Sequence, residues 1–219
     1  MIKKQENISQ VPKKEAYVRI TATLLNSWAN IWNCEDYVVE SDNDTISYED
    51  KVALAREKAT QEFVDLLNRK PIPDNEYMQR GREFEDLVCS GKDDEFSPIV
   101  QNGAFQVLGT KKVVISGVNV LLYGILDVLK AARINDIKRV TKYSYPKYKK
   151  SLQHPLYLEL FPETLDFTYL VRDDRGQSHY ENYIRENCVD IYQVVATFIA
   201  YLKANDLFDI FVEKWTMYV

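Results

Sequence analysis

Cysteine, histidine and glycine are scarce in this chain, and each scarcity removes a class of function. The three cysteines, Cys34, Cys89 and Cys188, are odd in number, far apart and without a C-x-x-C pair, which suggests neither a disulfide framework nor a zinc site. His154 and His179 are the two histidines, so a His-metal centre or a Ser-His-Asp triad lacks its parts. The seven glycines form no phosphate-binding motif, which argues against an NTP-driven motor. No apolar run approaches the ~20 residues that span a bilayer, and MIKKQENISQ has no apolar signal-peptide core. A cytoplasmic protein with no membrane partner is expected. There is no internal repeat and no low-complexity segment.

What is present is enough apolar material for a real core, 46% of 219 residues, and a length suited to one compact α/β body. Residues 1–15 read as a flexible polar tail and 16–219 as a single domain, with 16–73 largely helical. Apolar spacing predicts helices over 21–32 and 47–68, the second stopping before Pro71 and Pro73, and a third over 75–90 with Asp74 as its cap. Strands are expected at 105–108, 112–116, 120–129 and 135–140, turned at Gly109, 117–119 and 131–134. A further hairpin is expected about 173–176, followed by helices over 190–203 and 207–218.

The stretch Tyr123–Lys138, YGILDVLKAARINDIK, carries the chemistry. Strand side chains alternate in facing, so Asp136 and Lys138 project from one face while Ile137 points into the core. Asp127 lies on the strand that would pair with theirs, inside the apolar run Gly124–Leu129, where an unpartnered charge would cost several kcal/mol. Two carboxylates beside a lysine suit a hard divalent cation and an attacking water, which is phosphodiester chemistry. Taken alone, D-x-K is a common triplet, and these charges would be ordinary hairpin surface.

Four elements in order resemble the PD-(D/E)XK nuclease superfamily, in its RecB-like and lambda-exonuclease-like branch. Arg80-Gly81-Arg82-Glu83-Phe84-Glu85 is similar to the family's first core helix, with Glu85 at the metal-binding position. Gly124-Ile125-Leu126-Asp127 is similar to its G-x-x-D strand, Asp136-Ile137-Lys138 to its (D/E)-x-K strand, and Gln153 with Tyr157 to its Q-x-x-x-Y helix. The segment 21–32 resembles the branch's N-terminal helix. Two departures stand out. Asp136 replaces the commoner Glu, and Pro155 interrupts the last motif, although proline suits only a helix's first turn. With Ser151 as cap Pro155 falls just past that turn; with His154 as cap Gln153 lies outside the helix.

The resemblance implies a restriction-endonuclease-like core over 74–219, a central mixed β-sheet flanked by helices, with the helical segment 16–73 beside it. It implies a metal-dependent deoxyribonuclease, most simply an exonuclease, in phage or mobile-element DNA recombination or processing. Asp127, Asp136, the Ile137 carbonyl and Glu85 would bind Mg²⁺ or Mn²⁺, and Lys138 would orient and deprotonate the water. Gln153 and Tyr157 would position the strand. No iron-sulfur cluster is expected, because three cysteines without a C-terminal set do not fit the cluster-bearing relatives.

A net charge of −5 and pI near 5.2 do not by themselves indicate a nucleic-acid binder. The distribution is more telling: 137–158 has no acid, while Lys138, Arg139, Lys142, Lys147, Lys149 and Lys150 alternate there with tyrosines. Such a segment suits a phosphate backbone and stacked bases, so DNA is the expected partner, with RNA as an alternative. The resemblance also allows a homo-oligomer or a recombination partner protein. The rival reading is a nuclease-like fold that has lost catalysis and binds nucleic acid or protein.

Overall fold

The structure is a computed structural model describing residues 14–38 and 46–219; most of the expected N-terminal tail, 1–13, lies outside the described residues. In chain order the elements are β1 (Ala16–Ile20), α1 (Ala22–Asn33), α2 (Tyr48–Leu67), α3 (Glu76–Cys89), α4 (Ser97–Val100), β2 (Ala104–Ile115), β3 (Val118–Lys130), β4 (Arg133–Val140), α5 (Gln153–Leu160), β5 (Asp166–Asp173), β6 (Ser178–Ile184), α6 (Ile191–Ala204), α7 (Phe208–Trp215) and β7 (Thr216–Tyr218). The seven strands form one mixed sheet in the order β6-β5-β4-β3-β1-β7, with β2 on the other edge of β3. This is a restriction-endonuclease-like α/β layout, as expected.

Local chemistry accounts for the helix starts. Thr21, Ser47 and Asn75 sit extended before α1, α2 and α3, and each side chain accepts the N–H three residues on. The cap of α3 is thus Asn75 rather than Asp74, which pairs instead with Arg82 at 2.5 Å. The final helix also ends early: α7 stops at Trp215, and 216–218 leave as β7 to pair antiparallel with β1.

Gly109 is not a turn. β2 runs unbroken through it, and a Cβ there would lie 2.5 Å from a ring carbon of Phe161. The glycine is needed so that this ring can lie against the strand, a tertiary reason with the same local signal as a turn.

The sheet separates two cores. On β5, Phe167, Tyr169 and Val171 enter the large core shared with α1, α5, α6 and α7, whereas Leu170 joins Phe84, Val88, Phe96, Val128 and Ile137 under α3. On β3 the alternation slips: Leu126 packs in the large core and Val128 in the small one. The slip occurs at Asp127, beside Gln106 of β2, whose φ of 50° interrupts the pairing between Phe105↔Val128 and Val107↔Leu126.

Candidate active site

The site lies where the sheet forks. β2 occupies one edge of β3, so β1 and β4 must share the other: β1 pairs with 120–122 and β4 with 128–130. Between them residues 123–127 have no strand on that edge. Beyond Asn135, β4 pairs with β5 and no longer with β3, which leaves Asp136–Lys138 facing an opening.

Asp127 spans the start of that opening. Its Oδ2 accepts the backbone N–H of Ile137 at 2.9 Å, replacing the ladder bond that β3 has ceased to supply. A residue's N–H and C=O leave a strand on the same side, so the Ile137 carbonyl also faces the fork. The Ile137 side chain turns to the small core under Phe84, and Asp136 and Lys138 turn to the opposite face.

Asp136 is the buried centre of the group, 1% exposed. Its Oδ1 accepts from Gln153 Nε2 at 2.6 Å, and its Oδ2 lies 2.6 Å from Lys138 Nζ. That second contact is an ion pair outside hydrogen-bond alignment, so Oδ2 is a buried carboxylate oxygen without an aligned donor. Burial pushes the Asp136 carboxyl up, Lys138 pulls it back and Asp127 adds to the rise, leaving it at about 7. Burial works against the charge on Lys138, but Asp136 and Asp127 outweigh it and hold the ammonium above its ordinary value.

Glu85 faces the same field from α3. Its carboxyl is raised, chiefly by burial and then by Asp127, and Lys138 opposes the rise. Its Oε1 accepts from Gln106 Nε2 at 2.6 Å, so the residue at the slip in β2 also positions this acid. Among the described residues no three His, Cys, Asp or Glu side chains come together closely enough to hold one metal ion. The narrower set of Asp127, Asp136 and the Ile137 carbonyl still offers the hard oxygen donors that Mg²⁺ or Mn²⁺ takes. Mg²⁺ characteristically keeps several waters and needs one or two carboxylates.

The start of α5 resolves both alternatives for Gln153. The residue before the helix is Leu152, Gln153 is the first helical residue, and Pro155 falls inside the first turn, where its missing N–H costs nothing. Ser151 Oγ accepts Gln153 N–H at 3.2 Å, and Asn26 of α1 accepts Leu152 N–H at 2.7 Å. Tyr157 packs its ring between α5 and β3. It is 8% exposed, and a Cβ on Gly124 would come 2.4 Å from its ring, so it locks α5 onto β3 beside Asp127.

The basic segment divides in two. Arg139 is committed to the turn after β5, donating to the Asp173 carbonyl at 2.6 Å and pairing with Asp174 at 3.1 Å. Lys150 pairs with Asp36 at 2.5 Å, whereas Lys142, Lys147 and Lys149 are exposed along the loop 141–152. Glu181, 1% exposed, holds that loop by accepting from Tyr143 Oη at 2.7 Å and from the N–H groups of Lys147 and Tyr148 at 3.0 and 2.8 Å. Facing the loop across a groove of about 540 Å³ is α1, which carries no charged residue and presents Asn26 and Asn30; Lys138 and Gln153 lie in the same groove.

Three residues of this site have no counterpart in the motif reading: Gln106, Asn26 and Glu181. Glu181 had a sequence signal, a lone acid among tyrosines on a strand. Gln106 and Asn26 had none beyond their polarity.

No family model matches the sequence, and neither does any curated protein. Among solved structures, that of SSO0001 aligns with a TM-score of 0.45 and 14% identity over 91% of this chain and 81% of that one. A candidate exonuclease from Eubacterium rectale aligns with a TM-score of 0.41 and 17% identity over 96% and 87%. Likeness at this level is one of general chain course, and the functional reading rests on the site. Among the described residues no helix is long and apolar enough to cross a membrane.

Proposed function

We propose that the chain is a metal-dependent deoxyribonuclease, an exonuclease acting in DNA recombination or processing of phage or mobile-element type. The observation that carries this reading is the convergence at the fork: Asp136 buried with an unaligned Oδ2, Lys138 2.6 Å from it, and Asp127 turned to the same opening through Ile137. Asp127, Asp136 and the Ile137 carbonyl would hold Mg²⁺ or Mn²⁺, with Glu85 in reserve on α3. Bound there, the ion would supply an activated water and offset charge on the phosphate oxygens.

The chain's own residues do the positioning. Gln153 fixes the rotamer of Asp136 from α5, and Tyr157 fixes α5 on β3. Lys138 is held charged by the two aspartates, so in this state it orients a water or stabilises charge. It becomes a base only when those carboxylates are neutralised. The exposed lysines of 141–152 would draw the phosphate backbone into the groove below α1.

One observation favours a second reading, a nuclease-like fold that binds nucleic acid or protein without cutting: the three acids do not gather into a single ligand set. The two readings separate on labelled linear and circular DNA, single- and double-stranded, incubated with Mg²⁺, Mn²⁺ or EDTA. Metal-dependent digestion of linear DNA alone is expected. Circles cut as fast as linear DNA would make it an endonuclease, and intact DNA under every condition would favour the binding module.

A further inference from the structure

A second cavity, of about 650 Å³, lies on the far side of the 141–152 loop from the fork, within the range of small-molecule sites. Its floor is the half-buried ring of Tyr183, stacked from behind on His154 with ring centroids 3.8 Å apart. His154 itself is 3% exposed and burial lowers it to about 4, so it backs the Tyr183 ring as a neutral ring. One wall is Tyr145, 77% exposed between Lys142 and Lys149, a degree of exposure without use in a packed core. Lys149 stands at the mouth, and Lys150 and Ser151 line both this cavity and the groove that contains Lys138.

We propose that this cavity takes one unpaired nucleobase of a single strand whose adjoining phosphates lie on the 141–152 loop, so that the strand is held on both sides of that loop. The inference rests on the nuclease reading for the course of the strand. The Tyr145 and Tyr183 rings suit the flat faces of a base, and the lysine mouth suits the linking phosphate. Continuity through Lys150 and Ser151 supplies the path from the cutting site. A duplex keeps its bases paired and stacked and has none to offer.

The test is equilibrium binding of short single-stranded oligonucleotides in EDTA, with an abasic site moved one position at a time, to wild type, Tyr145→Ala and Tyr145→Phe. Because Tyr145 is exposed, its truncation leaves the core intact, which a thermal melt verifies. At one position the abasic site should weaken wild-type binding roughly tenfold, as loss of one stacked base does. Tyr145→Ala should lose a similar factor, the two changes together should lose no more than either alone, and Tyr145→Phe should bind like wild type. Losses that multiply, or Tyr145→Ala binding as tightly as wild type, overturn the proposal. Coupled binding by a protein that cleaves nothing sinks the nuclease reading alone, cleavage without coupling sinks this inference alone, and no binding of any oligonucleotide overturns both.

Discussion

Asp127 hydrogen-bonds the backbone of Ile137 through its Oδ2, 2.9 Å from the amide nitrogen, at the point where β3 and β4 part. One carboxylate therefore closes the last step of a ladder and points a charge at the fork. The two tasks separate by substitution. Asp127→Ala leaves a partly buried N–H without its acceptor and should destabilise the fold by about 1–3 kcal/mol in denaturant titration. Asp127→Asn keeps an acceptor and should fold nearly as well, yet lose Mn²⁺ binding by calorimetry. Unchanged metal titration in Asp127→Asn would count against its place as a ligand.

Asp136 should make the proposed metal binding pH-dependent. Burial, partly offset by Lys138, raises its carboxyl from the ordinary 3.8 to about 7, so at lower pH a proton would compete with a cation for this carboxylate. Mn²⁺ affinity should fall by about tenfold for each pH unit below 7 and level off above 8, with heats that depend on buffer ionisation because protons are released. Affinity indifferent to pH between 5.5 and 8 would place the ion elsewhere.

Gly124 is fixed by contact rather than by conformation. Gly124→Ala would set a Cβ 2.4 Å from the Tyr157 ring and force α5 away from β3, with an expected loss of roughly 1–3 kcal/mol. Cleavage should fall as well, because α5 also carries Gln153 onto Asp136. Trimming the ring in Gly124→Ala/Tyr157→Leu should restore part of the stability. A double variant no more stable than Gly124→Ala would mean that the strain lies in the backbone.

His154 should make the fold acid-sensitive. Burial depresses its folded value to about 4 from 6.5, so its contribution to stability is fully present above pH 6.5 and is lost as pH falls toward 4. Asp136 works in the other sense, adding stability at low pH that is lost as pH rises through about 7. The measurement is therefore a difference: melting of wild type against His154→Phe, in EDTA, from pH 7.5 to 4. Wild type should lose ground relative to the variant below 6.5, and parallel curves would show that His154 titrates normally.

The α/β class and the facing of residues along one strand were more legible than the pairing of strands within the sheet. Asp136, Ile137 and Lys138 could be placed on alternate faces because strand periodicity is a local property, and the structure puts Ile137 in one core and the charged pair opposite. β1 and β7 escaped because each is defined by its partner: Ala16–Ile20 becomes a strand through parallel pairing with Val120–Leu122, and Thr216–Tyr218 through pairing with β1. Gly109 was misread because a glycine required by a ring arriving from α5 is indistinguishable, along the chain, from one required by a turn. The burial of Tyr157 against Gly124 was not legible, because a motif gives spacing and not burial. The slip at Gln106 and Asp127 had no signal, since φ is not written in residue type when the residue is not glycine.

The most direct measurement is single-turnover cleavage of an end-labelled DNA strand by wild type and Lys138→Ala, each with Mg²⁺, Mn²⁺ or EDTA, alongside a melting curve for both proteins. Wild type should cut only with metal, and Lys138→Ala should fold and bind DNA but cut at least a hundredfold more slowly, about the share a positioned acid–base group contributes. Equal rates in a folded Lys138→Ala would contradict the account at its centre, because the lysine beside Asp136 would then have no part in the chemistry.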